Sequence, residues 1–317
     1  MGLLERLAAG ERFDAEYNGA LSNHLPMALV ALHRLGADEA RLAAFEQHYA
    51  RRLSPAPPIE DWPAGDAWAG RFGQARAWPA YRMLFRRWID AEGAAAMLAP
   101  VLPQLLRGSG TAAFHGLIRT AYAVQAAPAG ELADALAYWA CRFVDLPAVE
   151  GTGGGTESDP ARVLANPPQV RAPGGLIIDR MRWAALHTDF ANRAARLRID
   201  DGTLERLARH AAAVYAATGN FTVLHLVTGC HAARVLIGFV DDRRAATADV
   251  WRAYAAGVMT GGLRSLAPID ALPWDAILPA AIASDDEHVI KLVDSCREQE
   301  RAYGGHEWRL AASRAVK

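Results

Sequence analysis

The stretch FTVLHLVTGCHAARVLIGFV, residues 221–240, is apolar along almost its whole length. Twenty residues are enough for a helix to cross a bilayer. However, two histidines, one arginine and two glycines interrupt the stretch, and no second one of this kind follows it. A helix that is apolar on all sides is also typical of the centre of a soluble protein. The stretch therefore predicts a buried central helix, and we expect no membrane partner.

Helical signals continue on both sides of this stretch. Ser22 or Asn23 begins one predicted helix that ends at Gly36, and Asp38 begins the next. No run alternates apolar and polar residues well enough to predict a sheet. The sequence thus predicts an all-α fold in a single large multi-helix domain over residues 1–317. Further helices are predicted at 78–90, 91–107, 109–127, 129–145, 177–198, 202–217, 220–240, 244–262, 270–283 and 285–303.

Residues 150–176 interrupt the helical pattern, because they are rich in glycine, proline and serine. They predict a long loop between two helical halves. Within it, the GTGGGT segment at 151–156 lacks the GK[ST] ending of a phosphate-binding loop, and no predicted strand precedes it. The sequence therefore supports no nucleotide or flavin site of the Rossmann type.

Charge and cysteine usage narrow the class of protein further. The net charge of −1 indicates no basic face, so we expect no nucleic-acid partner. The three cysteines, Cys141, Cys230 and Cys296, are widely spaced in apolar runs. This usage is typical of reduced thiols in a cytoplasmic protein. Nothing in the sequence determines the oligomeric state.

The histidines carry the strongest functional signal. Six of the ten lie in apolar surroundings, and one buried histidine is more often a hydrogen-bonded core residue than a ligand. Several that converge inside a helical core would form a metal site. His225 and His231 are six residues apart, about 9 Å along a helix, so we prefer His225 as ligand while the reverse choice stays open. The six are His24, His115, His187, His225, His231 and His288.

Lys291 is a compositional exception, because only two of the 34 basic residues are lysines and the other is Lys317. It follows His288 by three residues, so both lie on one helix face. Burial and a nearby cation favour the neutral amine. A neutral amine can take up carbon dioxide and become an anionic carbamate, which arginine cannot do. The plainer interpretation is an ion pair with Glu287 or Asp294.

Four blocks of the sequence resemble the questin oxidase-like family of oxygenases. The resemblance implies an enzyme that uses O₂ for oxidative ring cleavage, or Baeyer–Villiger-like oxidation, of a polycyclic aromatic ketone or quinone. By this similarity, the family's motif positions correspond to His24, His115, His225, His231, His288 and Lys291. Because O₂ does not react readily with closed-shell organic molecules, we expect a redox-active metal, and histidines with a carboxylate-like oxygen suit non-haem Fe(II). The expected ligands are His24, His115, His225, His288 and carboxylated Lys291. The blocks are SNHLPMALVALHRLGA (22–37), AFHGLIRTAYA (113–123), LHLVTGCHAARVLIGF (224–239) and DEHVIKLV (286–293).

The other candidate catalytic residues are His231, Arg119 and Arg234. His231 would orient substrate or support a ligand, and the two arginines would pair with a phenolate or enolate of the substrate. In an apolar helix, however, an arginine more often forms a structural ion pair. Trp183, Phe114, Phe221 and Tyr122 are candidates for an aromatic pocket.

Two alternatives to a metal-dependent oxygenase stay open. The first is a metal-free or NADPH-dependent Baeyer–Villiger enzyme, with the histidines as acid–base groups and NADPH as external reductant. The second is a non-catalytic helical protein that binds aromatic ligands.

Overall fold

The computed structural model describes residues 1–65, 67–126, 128–168, 170 and 175–317. These parts of the chain form sixteen α-helices and one short hairpin, so the all-α prediction is confirmed. The first half contains α1 (Leu3–Gly10), β1 (Glu16–Tyr17), β2 (Leu21–Ser22), α2 (Leu25–Leu35), α3 (Glu39–Ala50), α4 (Trp78–Glu92), α5 (Ala94–Leu106), α6 (His115–Ala126) and α7 (Ala129–Arg142). The second half contains α8 (Pro160–Val163), α9 (Ile177–Ala185), α10 (Thr188–Arg196), α11 (Thr203–Thr218), α12 (Phe221–Leu236), α13 (Arg243–Met259), α14 (Trp274–Ala283), α15 (Glu287–Tyr303) and α16 (Glu307–Val316). Short 3₁₀ helices lie at Trp68–Arg71, Ala75–Ala77 and Ile237–Phe239.

The apolar stretch around residue 230 forms the central helix, as predicted. With its 3₁₀ extension, the segment Phe221–Phe239 is long and apolar enough to cross a membrane, yet 78% of its apolar window is buried inside the protein. It packs against α6, α11, α13 and α15. At its start, the side chain of Asn220 accepts hydrogen bonds from the N–H groups of Thr222 and Val223, which satisfies two donors that a helix start leaves open. The apolar character of α12 is thus explained by helices that cover it on several sides.

Four helices form a closed ring around one end of the core. In this ring α2 contacts α6, α6 contacts α12, α12 contacts α15, and α15 contacts α2. Each helix carries one candidate histidine near its N-terminal end. His24 immediately precedes α2, His115 is the first residue of α6, His225 the fifth of α12 and His288 the second of α15.

A buried ionic cluster ties three of these helices together. Asp294 of α15 accepts hydrogen bonds from the side chains of Arg34 (3.1 Å) and Tyr122 (2.9 Å), which belong to α2 and α6. Burial raises the pKa of the Asp294 carboxyl to about 6, although the Arg34 charge opposes the shift. Because breaking a buried charge pair leaves an uncompensated group, this cluster fixes the relative position of the three helices.

Three helical predictions differ from the structure. The helix predicted at 109–127 begins at His115, because residues 112–114 form a left-handed turn. The helix predicted at 177–198 is divided into α9 and α10, where the ring of His187 caps α10 by accepting the Asp189 N–H. Within the predicted loop at 150–176, the short α8 forms, and Gln169 and residues 171–174 lie outside the described part of the chain.

Candidate metal centre and substrate cavity

Four imidazole rings lie in contact at the N-terminal ends of the helix ring. The ring centroids of His24 and His115 are 4.5 Å apart and nearly parallel. His115 and His225 are 4.9 Å apart, His225 and His288 5.5 Å, and His288 and His24 4.8 Å. The four histidines therefore close a circle, although they come from parts of the sequence up to 264 positions apart. We call this group the histidine cluster.

An acceptor faces the Nδ1 atom of each of three cluster histidines. For His115 it is the backbone carbonyl of Ala112, and for His225 it is that of Phe221, at 2.8 Å. For His288 it is Oδ1 of Asp286, at 3.1 Å. Because each acceptor requires the proton on Nδ1, the lone pair of each ring is on Nε2. In metal sites, the ligating histidines donate their other ring N–H to an acceptor that fixes the tautomer in the same way.

Glu287 supplies the corresponding acceptor for His24. Its Oε1 lies 3.3 Å from His24 Nδ1, at an angle outside that of a hydrogen bond, so both ring nitrogens of His24 are buried without a hydrogen-bond partner. The same carboxylate lies 3.6 Å from Arg52 Nη1. Glu287 is buried, and sequence reasoning did not assign it to the site.

Three histidines of the cluster are held in the neutral form. Burial lowers the pKa of His24, His115 and His225 well below its usual range, and the charges of Lys291 and of neighbouring histidines lower it further. The positive ends of the α2, α6, α12 and α15 helix dipoles also meet here, which disfavours added positive charge. Neutral imidazole is the form that binds metal. A cation at this point would require an anionic ligand to balance the charge.

Lys291 lies in α15, one turn after His288, and only 1% of it is exposed. Its ammonium makes no hydrogen bond or ion pair with any residue in the described part of the chain, so neither Glu287 nor Asp294 forms the predicted salt bridge with it. Burial lowers the pKa of Lys291 to about 8, against the opposing charges of Glu287 and Asp286. A buried amine with this pKa is partly neutral near pH 7 to 8, which is the form that reacts with carbon dioxide.

Three of the histidines bring ligand atoms close to the spacing that a single metal ion needs. Ligand atoms of His24, His115 and His288 all lie within 4.8 Å of one another. Two nitrogen ligands on opposite sides of a metal, each about 2.1 Å from it, are about 4.2 Å apart. His24 Nε2 and His115 Nε2 are buried without partners, and such orphaned polar atoms call for an unseen partner. His225 lies outside this group of three, although its ring contacts those of His115 and His288.

A strained turn places His115. Ala112, Ala113 and Phe114 have φ angles of +49°, +56° and +69°, in the left-handed region. This conformation costs an L-residue about 1–2 kcal/mol, and consecutive non-glycine examples of it are rare. The turn delays the start of α6 to His115 and directs the Ala112 carbonyl at the His115 ring. Such strain clusters at functional sites, where the surrounding packing enforces it.

Replacing Ala112 by glycine is expected to raise the free energy of unfolding by about 0.5–1 kcal/mol, because glycine adopts the left-handed conformation without strain. The greater freedom of glycine in the unfolded chain offsets part of this gain. Ala43→Gly is the matched control, since Ala43 is a partly buried alanine inside α3 and should lose about 1 kcal/mol. Denaturant titration measures both. Destabilisation of both variants alike would contradict the strained turn.

A cavity of about 590 Å³ opens beside the histidine cluster. This volume lies within the range of small-molecule sites, about 300–1,000 Å³. His24, His115, His225 and His288 all line it, together with Glu287. The remaining wall is mostly apolar and includes Leu21, Ala113, Val144, Leu176, Ile177 and Phe221. A flat apolar molecule with a few polar atoms would match this lining.

The three predicted catalytic residues do not line the cavity. His231 Nδ1 lies 3.1 Å from Ser295 Oγ of α15, and the ring is buried next to Tyr122 of α6, away from the cavity. Arg119 donates two hydrogen bonds, of 2.7 and 2.9 Å, to the buried carboxylate of Glu131. Arg234 donates to Gln299 (3.1 Å). We therefore correct their placement: the two arginines have structural partners, and His231 belongs to a separate polar group.

Of the four predicted pocket aromatics, only Phe221 is among the residues that line the cavity. Its ring centroid is 4.8 Å from those of His225 and His288. Phe114 and Tyr122 are buried in the core, and Trp183 is 50% exposed. Sequence reasoning missed Glu16, Arg142 and Arg180, which add charge to the cavity wall. The one sequence signal for Glu287 was an acidic residue next to His288 at the start of an apolar run.

Comparison with known proteins agrees with the four sequence blocks. A family model described as Questin oxidase-like matches residues 21–296. The matched region begins in the hairpin before His24, ends in α15 after Lys291, and so contains the whole histidine cluster. No curated protein matches the chain significantly.

Proposed function

The chain belongs to the questin oxidase-like family, which implies an oxidoreductase with a small aromatic substrate, and on this premise we propose that it is a metal-dependent oxygenase. The substrate would be a polycyclic aromatic ketone or quinone, oxidised by O₂ with cleavage of a ring or with Baeyer–Villiger-like insertion of oxygen beside the carbonyl. The observation that carries the proposal is the histidine cluster, with its protonated Nδ1 atoms turned to acceptors and its buried, unpartnered nitrogens.

His24, His115, His225 and His288 would hold the metal through nitrogen, and a carbamate on Lys291 would be the anionic ligand. To form it, neutral Nζ adds to the carbon of CO₂ and loses a proton, so that the ammonium is replaced by an oxygen anion. Non-haem Fe(II) is the metal that suits imidazole with a carboxylate-like oxygen, and it would activate O₂ towards a closed-shell organic molecule. Ring cleavage that incorporates both oxygen atoms would need no further electrons. Baeyer–Villiger-like insertion of one atom would need two electrons from an external reductant such as NADPH, with the other atom released as water.

The chain's own residues have separate roles in this proposal. The apolar cavity wall binds the ring system and excludes water from the carbonyl. Glu287 would accept the proton on His24 Nδ1 and so hold that ring with Nε2 free, as Ala112, Phe221 and Asp286 do for the other three histidines. Phe221, against His225 and His288 at the cavity edge, would restrict the approach of solvent to the cluster.

Metal analysis and oxygen uptake test the proposal together. We expect about one redox-active metal ion, preferably iron, per chain after purification or after reconstitution with Fe(II). We also expect O₂ consumption that depends on an added polycyclic quinone and stops when a chelator removes the metal. Elemental analysis and an oxygen electrode measure the two quantities.

Three outcomes separate the candidate functions. Quinone-dependent O₂ uptake without stoichiometric redox metal, before or after reconstitution, would contradict the metal centre. If that uptake required NADPH, a nicotinamide-dependent Baeyer–Villiger reaction would replace it. Quinone binding without O₂ uptake under any of these conditions would favour a non-catalytic binding protein.

A further inference from the structure

The cavity wall holds a positive charge that the metal centre does not use. Arg180 of α9 lines the cavity, partly buried. Its Nε is buried without a hydrogen-bond partner, and its guanidinium forms no ion pair with any residue in the described ranges. A guanidinium is charged at every working pH, and leaving such a donor buried and unmatched is unfavourable. Arg180 therefore presents an unmatched cationic donor to the cavity.

The acidic groups of the cavity wall are already engaged. Glu16 is paired with Arg142, and Glu287 faces His24 and Arg52. Asp179, although next in sequence to Arg180, accepts the backbone N–H of Leu176 at 3.2 Å. Arg142 is neutralised by its partner, so Arg180 differs from it in having no carboxylate within reach among the described residues.

The local backbone contributes little to this electrostatic preference. The first turn of α9 lines the cavity through Leu176, Ile177 and Ile178. A helix start carries N–H groups without intrahelical acceptors and the positive end of the helix dipole. At this start, however, the Asp179 carboxylate already accepts the N–H of Leu176, so the preference for a negative charge on this wall rests on Arg180.

We infer that Arg180 determines substrate specificity by pairing with an anionic oxygen on an aromatic ring system, either an ionised phenol or enol or an aromatic carboxylate. The planar fork of a guanidinium matches a planar oxyanion. The inference rests on the proposed function for the location of the site, and it specifies the substrate class further: an aromatic ketone that is an anion when it binds. It also transfers to Arg180 the role that the sequence pattern suggested for Arg119 and Arg234.

Ligand titration of metal-free protein tests this inference without reference to oxygenase activity. The probes are 2-hydroxy-1,4-naphthoquinone, an anion at neutral pH, its neutral 2-methoxy ether, and 2-naphthoate. We expect the wild type to bind at least one anion about 10-fold or more tightly than the ether. Arg180→Gln should weaken that anion about 10- to 100-fold, the range of a lost charge-assisted hydrogen bond, and leave the ether unchanged. The preference between the two anions identifies the oxygen group.

Arg182→Gln is the matched control, because Arg182 lies in the same helix but is exposed and is not a lining residue. It should bind all three probes as the wild type does, and Arg180→Lys should retain part of the preference. The inference is overturned if Arg180→Gln binds the anions as tightly as the wild type, or if the wild type shows no preference or binds none of the probes. Arg180-dependent anion binding without O₂ uptake would contradict the oxygenase proposal alone.

Discussion

Replacement of Lys291 by arginine is expected to abolish metal binding and oxygenase activity, although it keeps the positive charge. Arginine cannot form a carbamate, so the protein would lose its anionic ligand and gain a permanent cation beside four imidazoles. We expect a loss of bound metal of at least about 100-fold in affinity, since removing a direct ligand should exceed the 10- to 100-fold effect of removing its supporting groups. Elemental analysis after Fe(II) reconstitution measures this.

Matched variants distinguish the loss of a metal ligand from a loss of folding. Lys317→Arg changes the only other lysine, which is exposed at the C-terminus, and should behave as the wild type. Lys291→Met removes an unpaired buried charge, so it should fold at least as stably as the wild type and still fail to bind metal. Lys291→Ala should regain part of its metal and activity with added formate.

The carbamate itself has a direct signature. With ¹³C-labelled bicarbonate, the wild type should give a carbamate carbonyl signal by NMR that is missing from Lys291→Met. Full metal content and wild-type activity in Lys291→Arg would show that Lys291 is not a ligand.

Glu287→Gln is expected to weaken metal binding by about 10- to 100-fold, the usual cost of removing a group that orients a metal-binding histidine. An amide can donate to His24 Nδ1 as well as accept from it, so the substitution no longer enforces the proton on Nδ1. In this variant, Arg52 also loses the negative charge of the nearby Glu287 carboxylate. Competition with a chromophoric chelator measures the affinity.

Asp285→Asn is the control for this variant. Asp285 is an exposed carboxylate two positions earlier that pairs with Arg41, and its removal should not change metal affinity. Two results would contradict a supporting role for Glu287. If the variant loses metal as completely as Lys291→Arg, Glu287 is itself a ligand. If metal affinity does not change, Glu287 has no part in holding His24.

Local sequence signals were sufficient for most of the helices. Caps and apolar periodicity located α2, α3, α4, α5, α7, α11, α12, α13 and α15 to within a few residues. The start of α6 was missed because its turn uses Ala112, Ala113 and Phe114 in a conformation that favours glycine. Nothing in alanine or phenylalanine indicates that conformation, since only the surrounding packing enforces it.

The sequence by itself determined the class of fold, the central position of α12, and the family-like blocks that contain His24, His115, His225, His288 and Lys291, because each depends on residues close together in the chain. Only the tertiary structure decided which polar residues share a site. His225 and His231 lie in one helix, and the sequence favoured His225 as the ligand but left the reverse choice open; packing turns His225 to the cavity and His231 to Ser295. Arg119 and Arg180 differ in the same way. Arg119 is paired with the carboxylate of Glu131, whereas Arg180 lines the cavity without an ion-pair partner among the described residues. Such partners are set by contacts between helices, which no local pattern specifies.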